Sequence, residues 1–246
     1  MVQRKDEWLS LNDKLSYHKK QFEKVYRSTE LFIEWLSSFL DKSAGNKICD
    51  LACGGGANIA YMQQKYPEIV FEGIEINKEL VSLGNKELDK RGNRAKIFEG
   101  DLYNLNSNFK GRYKGIISFQ TLSWLPGYYE SICCMTELNP DWIAISSLFY
   151  EGDIDYKIEC RNYTRTSDTK QYEDCFYNIY SLVKIKELFN GLGYKKFDYR
   201  PFNIDIDIKK PEKAGLGTYT ERLENGKRIQ ISGGLMLPWY FIVAYK

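Results

Sequence analysis

Residues 47–58, Lys-Ile-Cys-Asp-Leu-Ala-Cys-Gly-Gly-Gly-Ala-Asn, constrain this chain more than any other stretch. Ile48, Cys49 and Leu51 make a short apolar run, three glycines follow at once, and Ala57 to Gln64 then reads as a helix. Strand, tight turn and helix N-terminus stand in immediate succession, the opening of an α/β crossover. Glycines in such a turn let the backbone approach a ligand with no Cβ in the way. The N–H groups of the first helical turn favour an anionic or carboxylate group. The spacing is that of a nucleotide-binding turn.

A dinucleotide fingerprint, Gly-x-Gly-x-x-Gly, wants a third glycine where this chain has Ile59, and it makes no demand for an acid at the end of the strand. Here Asp50 ends the strand. The stretch from Asp50 to Gly56 resembles the first motif of class I S-adenosylmethionine (SAM) methyltransferases. Two more motifs follow in the order expected of that family, Phe71-Glu72-Gly73-Ile74-Glu75-Ile76 and Glu99-Gly100-Asp101-Leu102. The resemblance covers about residues 45 to 150.

The resemblance implies SAM as cofactor and S-adenosylhomocysteine as product. It places Asp50, Ala52, Gly54 and Gly56 at the cofactor's turn, with Glu75, Ile76, Asp101, Leu102 and Gln120 along the following strand ends. Glu75 stands roughly 20 residues beyond the turn, the distance at which an acid reaches a ribose hydroxyl pair. In the family the same carboxylate grips both ribose hydroxyls, and the counterpart of Asp101 bonds the adenine amino group. An N-terminal helix usually covers the cofactor in such proteins, so His18, Gln21 and Arg27 are expected at the mouth of the pocket.

Length and composition allow one large domain over residues 1–246, with 43% hydrophobic residues for a sizeable core. The 35 basic and 33 acidic residues leave a net charge of +2, so no global field draws the protein to nucleic acid or membrane. Lys19-Lys20, Lys195-Lys196 and Lys209-Lys210 read as solvated surface lysines or as local phosphate contacts. The six cysteines show no Cys-x-x-Cys pair, so no metal site or disulfide framework is expected; they read as reduced thiols in a cytoplasm. No signal segment or membrane-spanning run is expected either. The 19 tyrosines fit either a tyrosine-rich core or stacking on adenine and sugar rings.

Along the chain, apolar residues at steps of three and four from Leu15 to Leu40 predict one long helix with His18 on its inward stripe. His18 is either a packed, hydrogen-bonded core residue or part of the site. Strands are expected at 69–76, 95–100, 113–120 and 142–149, with helices from Asn77 to about Lys90 and near 128–138. The loop Gln120-Thr121-Leu122-Ser123-Trp124-Leu125-Pro126 leaves the fourth strand on the ligand side. It lacks the Asn/Asp-Pro-Pro-aromatic pattern of DNA adenine and protein glutamine methyltransferases, and the carboxylate ligands of the metal-dependent catechol type. Tyr150 to Asp155 brings further carboxylates to the rim; Asp153 and Asp155 read as a solvated loop rather than a metal pair. Residues 156–180 read as an inserted strand pair and 182–192 as a helix. A long strand is expected over 194–208, with Phe202, Ile204, Ile206 and Ile208 on one face. Asn225-Gly226 predicts a type I′ hairpin, and Trp239 to Tyr245 the closing strand. The expected fold is thus α/β: a seven-stranded, mostly parallel doubly wound sheet with its last strand antiparallel. Residues 1–44 form an N-terminal helical lid, 45–150 the SAM-binding core, and 151–180 and 210–235 inserted β segments that build the acceptor pocket.

In the chemistry so implied, an acceptor nucleophile attacks the SAM methyl group and the protein positions the partners. An amine needs only to arrive unprotonated, whereas a hydroxyl needs a base. His18, Glu151 and Asp153 are the candidates, and His18 is the better match because its ordinary pKa lies near neutrality. Ser123, Trp124, Tyr150, Tyr163 and Tyr219 are expected to meet the acceptor. The leading expectation is a monomeric or homodimeric methyltransferase acting on a hydroxyl or amino group of a small polar acceptor, a sugar or nucleotide-linked sugar. The stretch from Gly226 to Trp239 is similar to tails of enzymes of surface-polysaccharide (carbohydrate) biosynthesis. The competing readings are an RNA methyltransferase and a non-catalytic SAM-binding or regulatory subunit.

Overall fold

In the computed structural model, residues 11–163, 173–212 and 217–246 are described; the first ten residues of the expected lid and parts of both expected insertions (164–172 and 213–216) lie outside them. The chain runs α1 (Leu11–Gln21), α2 (Arg27–Leu36), β1 (Lys47–Leu51), α3 (Ala57–Lys65), β2 (Val70–Glu75), α4 (Lys78–Lys90) and β3 (Lys96–Glu99). There follow β4 (Gly115–Phe119), α5 (Tyr129–Glu137), β5 (Trp142–Tyr150), β6 (Glu159–Asn162), β7 (Glu173–Phe176), β8 (Tyr180–Ser181) and α6 (Leu182–Gly191). The last elements are β9 (Lys196–Pro201), β10 (Thr218–Arg222), β11 (Arg228–Ser232), β12 (Leu235–Met236) and β13 (Trp239–Tyr245).

The strands that sequence reads as continuous apolar runs form the middle of one sheet, because a parallel sheet covered on both faces buries both sides of each strand. Its order is β3-β2-β1-β4-β5-β13-β9, with β8 paired to the end of β5. The five strands from β3 to β5 are mutually parallel, and β13 runs antiparallel to both β5 and β9. Successive residues of β13 serve opposite cores: Phe241 and Val243 join α2 and α3 on one face, Ile242 and Ala244 join α5 and α6 on the other. Strand order reverses between β1 and β4, which opens a crevice at their carboxyl ends. Below it, buried Glu72 of β2 ties three elements together: Arg112 bonds it at 2.6 Å, the Tyr113 hydroxyl donates to it at 2.9 Å, and Lys47 lies 3.6 Å away.

Four expectations are corrected or refined. The single helix over 15–40 is two helices, with Tyr26 extended between them (φ −69°, ψ 144°). A straight helix of that length would run about 39 Å, whereas the apolar stripe is buried against two different surfaces. α1 lies on α3 and α4, while α2 lies on the sheet, its Phe32 ring 4.8 Å from Phe241. The strand expected over 194–208 stops at Pro201, after which Phe202 and Ile204 turn into the core and Ile206 faces solvent. The Asn225-Gly226 hairpin is not type I′: Gly226 alone of the turn takes positive φ (78°), and its N–H donates to Leu223 O. That is a type I turn closed by a left-handed glycine. Finally, β10-β11-β12 make a separate three-stranded sheet and β6-β7 a separate hairpin, neither joined to the main sheet. Among the described residues no helix is long and apolar enough to cross a membrane.

Candidate functional site

β1 delivers Asp50 to the crevice, and the turn after it is built from left-handed residues: Ala52 (φ 59°), Gly54 (56°) and Gly56 (81°), the last capping α3. α4 presses on this turn so closely that a Cβ at Gly84 would run into the Gly55 carbonyl oxygen. A Cβ at Gly54 would lie 2.5 Å from Cε1 of His18. The glycines thus let the His18 ring, Ile97 and α4 pack directly on the backbone of the turn.

Two acids stand at the turn in different states. Asp50 is 1% exposed, and neither carboxylate oxygen has a hydrogen-bond partner among the described residues. Burial drives its carboxyl well above the usual range, and the field of Glu75 adds to this. Glu75, also buried, accepts from Gly54 N at 2.8 Å and Asn77 N at 3.0 Å. Asn77 caps α4 by taking the Leu80 N–H at 3.0 Å, which fixes Glu75's neighbourhood to that helix. Ile76 beside it is 42% exposed. After β3, Asp101 accepts from Tyr103 N at 2.9 Å, and Leu102 is buried. After β4, Gln120 adopts positive φ (54°), donates its N–H to Ser146 O at 2.7 Å and reaches Ser28 Oγ at 3.0 Å, linking the crevice to α2. The cofactor residues expected from sequence therefore gather at the carboxyl ends of β3, β2, β1 and β4, apart from Gln21 of α1 and Arg27 of α2.

α1 brings His18 onto the turn. Gly55 N donates to its Nδ1 at 3.3 Å, and Gln21 Oε1 lies 3.0 Å from the same nitrogen. Sequence reasoning passed over Tyr17, whose ring meets the His18 ring edge-on at 5.2 Å and whose hydroxyl bonds Tyr26 and Gln21. Burial above all, then Tyr26, pushes its phenol far above the ordinary value, so it remains a neutral donor. Tyr17 stands four residues before Gln21, the spacing that puts both on one helix face, and this was the available signal. Tyr177, equally overlooked, packs on Trp124 (4.3 Å between centroids) and shares a hydrogen bond with Ser232 Oγ at 3.0 Å.

Other expected site residues are placed elsewhere. Arg27 does not stand open at the mouth: its guanidinium binds Asp205 at 2.9 and 2.6 Å and Glu30 at 3.1 Å. Glu151 accepts from the Tyr240 hydroxyl at 3.1 Å, and burial together with this carboxylate lifts that phenol to about 12. Asp153 is exposed and pairs with Lys184 of α6 at 3.3 Å, while Asp155 accepts the Ser181 N–H at 2.8 Å. Glu151 and Asp153 thus follow the carboxyl end of β5 as exposed carboxylates, each with a partner, from β13 and α6. Ser123 is fully buried, its N–H donating to Ser147 Oγ at 3.0 Å. Tyr219 is buried beneath Lys210 (5.1 Å), whereas Tyr150 and Tyr163 are exposed, Tyr150 edge-on to Tyr156 at 5.8 Å. No group of three metal-binding side chains occurs among the described residues. A cleft of about 410 Å³ lined by Lys47, Arg112 and Lys114 lies at the opposite, amino end of β1 and β4.

A methyltransferase-domain family profile matches residues 48–134, the span from β1 into α5. That span is similar to the S-adenosylmethionine-binding part of class I methyltransferases. Over 96 residues it is 29% identical to the ribosomal RNA small subunit methyltransferase C of Pasteurella multocida, a match covering 38% of this chain and 28% of that relative. The fold is similar to that of YcgJ from Bacillus subtilis (TM-score 0.58, 11% identity, covering 88% of this chain and 98% of that one). It is also similar to phosphoethanolamine N-methyltransferase 2 of Haemonchus contortus (TM-score 0.62, 9% identity, covering 98% and 59%). The crevice fits S-adenosylmethionine by its own chemistry. A buried carboxylate without a partner suits a cationic amino group, a second acid suits hydroxyls, and the turn admits no Cβ.

Proposed function

We propose that the protein transfers the methyl group of SAM to a hydroxyl or amino group of a small polar acceptor, a sugar or nucleotide-linked sugar, in the cytoplasm. The observation that carries this reading is the pair of buried acids on the glycine turn, Asp50 without a partner and Glu75 with its oxygens on Gly54 and Asn77. Bound SAM supplies an electrophilic methyl group. Asp50 would take its ammonium, Glu75 its ribose hydroxyls and Asp101 its adenine amino group, so that binding is shared by three strand ends and the transfer becomes a matter of orientation. The acceptor side is assigned to Trp124 and Tyr177, joined through Ser232 to the β10–β12 sheet, with Tyr17 and Tyr26 opposite. These are aromatic faces and hydroxyls suited to a compact ring, and the nearby cation Arg27 is neutralised by Asp205 and Glu30. Where the acceptor is a hydroxyl, His18 is the base, since Glu151 and Asp153 lie on the surface with other partners.

Glu75→Gln tests the reading. It keeps an acceptor for the Gly54 N–H and removes the charge that strengthens the ribose bonds. One charge-assisted bond is worth about 1.5–3 kcal/mol, so calorimetry should show S-adenosylhomocysteine binding about ten- to a hundredfold more weakly. Unchanged affinity overturns the assignment. A ribosomal RNA acceptor, the substrate class in the name of the Pasteurella multocida relative, would instead show as RNA binding that weakens steeply with salt.

A further inference from the structure

The backbone N–H groups of the three glycines in the turn are all taken by the protein itself. Gly54 donates to Glu75 at 2.8 Å, Gly56 to the Cys53 carbonyl at 3.0 Å, and Gly55 to His18 Nδ1 at 3.3 Å. The first two bonds belong to the turn's own construction. The third comes from a separate helix: α1 ends at Gln21, α2 begins at Arg27, and Tyr26 between them is extended. α2 is fastened independently, by Thr29 to Asn58 at 3.1 Å, by Gln120 to Ser28, and by Phe32 in the core. The His18 ring can therefore leave the turn with α1 while α2 and the sheet stay in place.

We infer that His18 holds the Gly55 N–H in place of the cofactor's carboxylate and is displaced when SAM binds, with Gln21 as its second partner. The inference rests on the cofactor reading above. A backbone N–H at a helix-opening turn is a donor for an anionic oxygen, and Nδ1 offers it a lone pair only when the ring proton is on Nε2. With the proton on Nδ1, the same nitrogen donates to Gln21 Oε1, already 3.0 Å away. A change of tautomer, with the ring proton on Nδ1 instead of Nε2, thus turns Nδ1 from the Gly55 N–H to Gln21 Oε1. Because only the uncapped fraction of molecules accepts the carboxylate at Gly55, the cap lowers apparent affinity by that fraction.

His18→Ala should consequently bind S-adenosylhomocysteine more tightly, by about two- to tenfold, the equilibrium weight of one ordinary hydrogen bond. Gln21→Leu, which removes the alternative partner and keeps the ring on Gly55, should bind it more weakly by a similar factor. A second readout needs no variant to fold: in wild-type protein the Gly55 amide resonance should shift on adding S-adenosylhomocysteine, as the donor passes from nitrogen to carboxylate oxygen. Weaker binding by folded His18→Ala, or a Gly55 amide unmoved by the ligand, overturns the inference. Glu75→Gln measured alongside separates the two readings: loss of affinity there with loss in His18→Ala refutes the cap alone, whereas unchanged affinity in Glu75→Gln refutes the cofactor site.

Discussion

Asp50→Asn should make the ligand-free protein more stable and the cofactor complex weaker, two effects of opposite sign from one atom replaced. Asp50 is 1% exposed with both oxygens unpartnered among the described residues, so its charge has lost water without gaining a donor. The folded protein answers by holding the carboxyl well above its ordinary 3.8, through burial first and the field of Glu75 second. With the folded value raised, the folded state binds the proton more readily than the unfolded chain. Asp50's contribution to stability is therefore fully present below pH 3.8 and is lost as pH rises through the folded value. The penalty for ionising this buried, unpartnered carboxyl therefore grows as pH rises above 3.8. Asparagine keeps the shape and removes the charge, so the expected gain at pH 8 is on the order of 1–3 kcal/mol, vanishing toward pH 4. In a domain of this size that corresponds to a rise in Tm of roughly 2–4 °C per kcal/mol. Urea titrations at pH 4.5, 6 and 8 give the slope, and calorimetry with S-adenosylhomocysteine should show at least about a tenfold loss of affinity as the ammonium loses its counter-charge. Parallel stability profiles for the two proteins, or affinity equal to wild type, would refute the picture of a carboxylate kept unpaired for a cationic ligand.

Glu72 should behave in the opposite way. Burial pushes its carboxyl up, but the bonds from Arg112 and Tyr113, with the charges of Arg112 and Lys47, outweigh this and hold it below 4.5; its stabilisation is present above that pH and lost as pH falls through the folded value. Glu72→Ala should therefore cost about 2–3 kcal/mol at pH 7, less than a fully buried pair because Arg112 keeps 30% of its side chain in water, and should flatten the acid limb of a urea-titration series while leaving S-adenosylhomocysteine affinity unchanged. Gly84→Ala would drive a methyl group into the Gly55 carbonyl and Ile97; thermal melting should show a loss of about 1–3 kcal/mol, and calorimetry a weaker cofactor site as α4 is pushed off the turn.

The parts of this molecule that sequence made legible are those where local pattern and tertiary setting agree. β1, β4 and β5 are buried on both faces and read as apolar runs, and Asn77 caps α4 by a bond within its own turn. Asp50 and Glu75 were legible as strand-end acids because the strands place them, whatever the rest of the chain does. What escaped depends on distant partners. Arg27 and Asp205 are 178 residues apart, and no periodicity in α2 announces their ion pair. Glu151 and Asp153 leave β5 as expected, yet Tyr240 and Lys184 decide where they point. The break at Tyr26 is invisible because an apolar stripe at steps of three and four does not say whether one surface or two will bury it.

The place of β13 between β5 and β9 bears on how the molecule is made. Roughly ninety residues separate the end of β5 from the start of β13, and a ribosome adding 5–20 residues per second needs on the order of ten seconds to bridge them. For that interval β5, whose residues Trp142–Phe149 are all buried in the finished sheet, has one flank against β4 and the other uncovered. An apolar strand edge held open during translation is a template for the wrong neighbour. Yield in a cell should accordingly depend on what shields that flank from other nascent chains, and on how quickly elongation proceeds beyond residue 150.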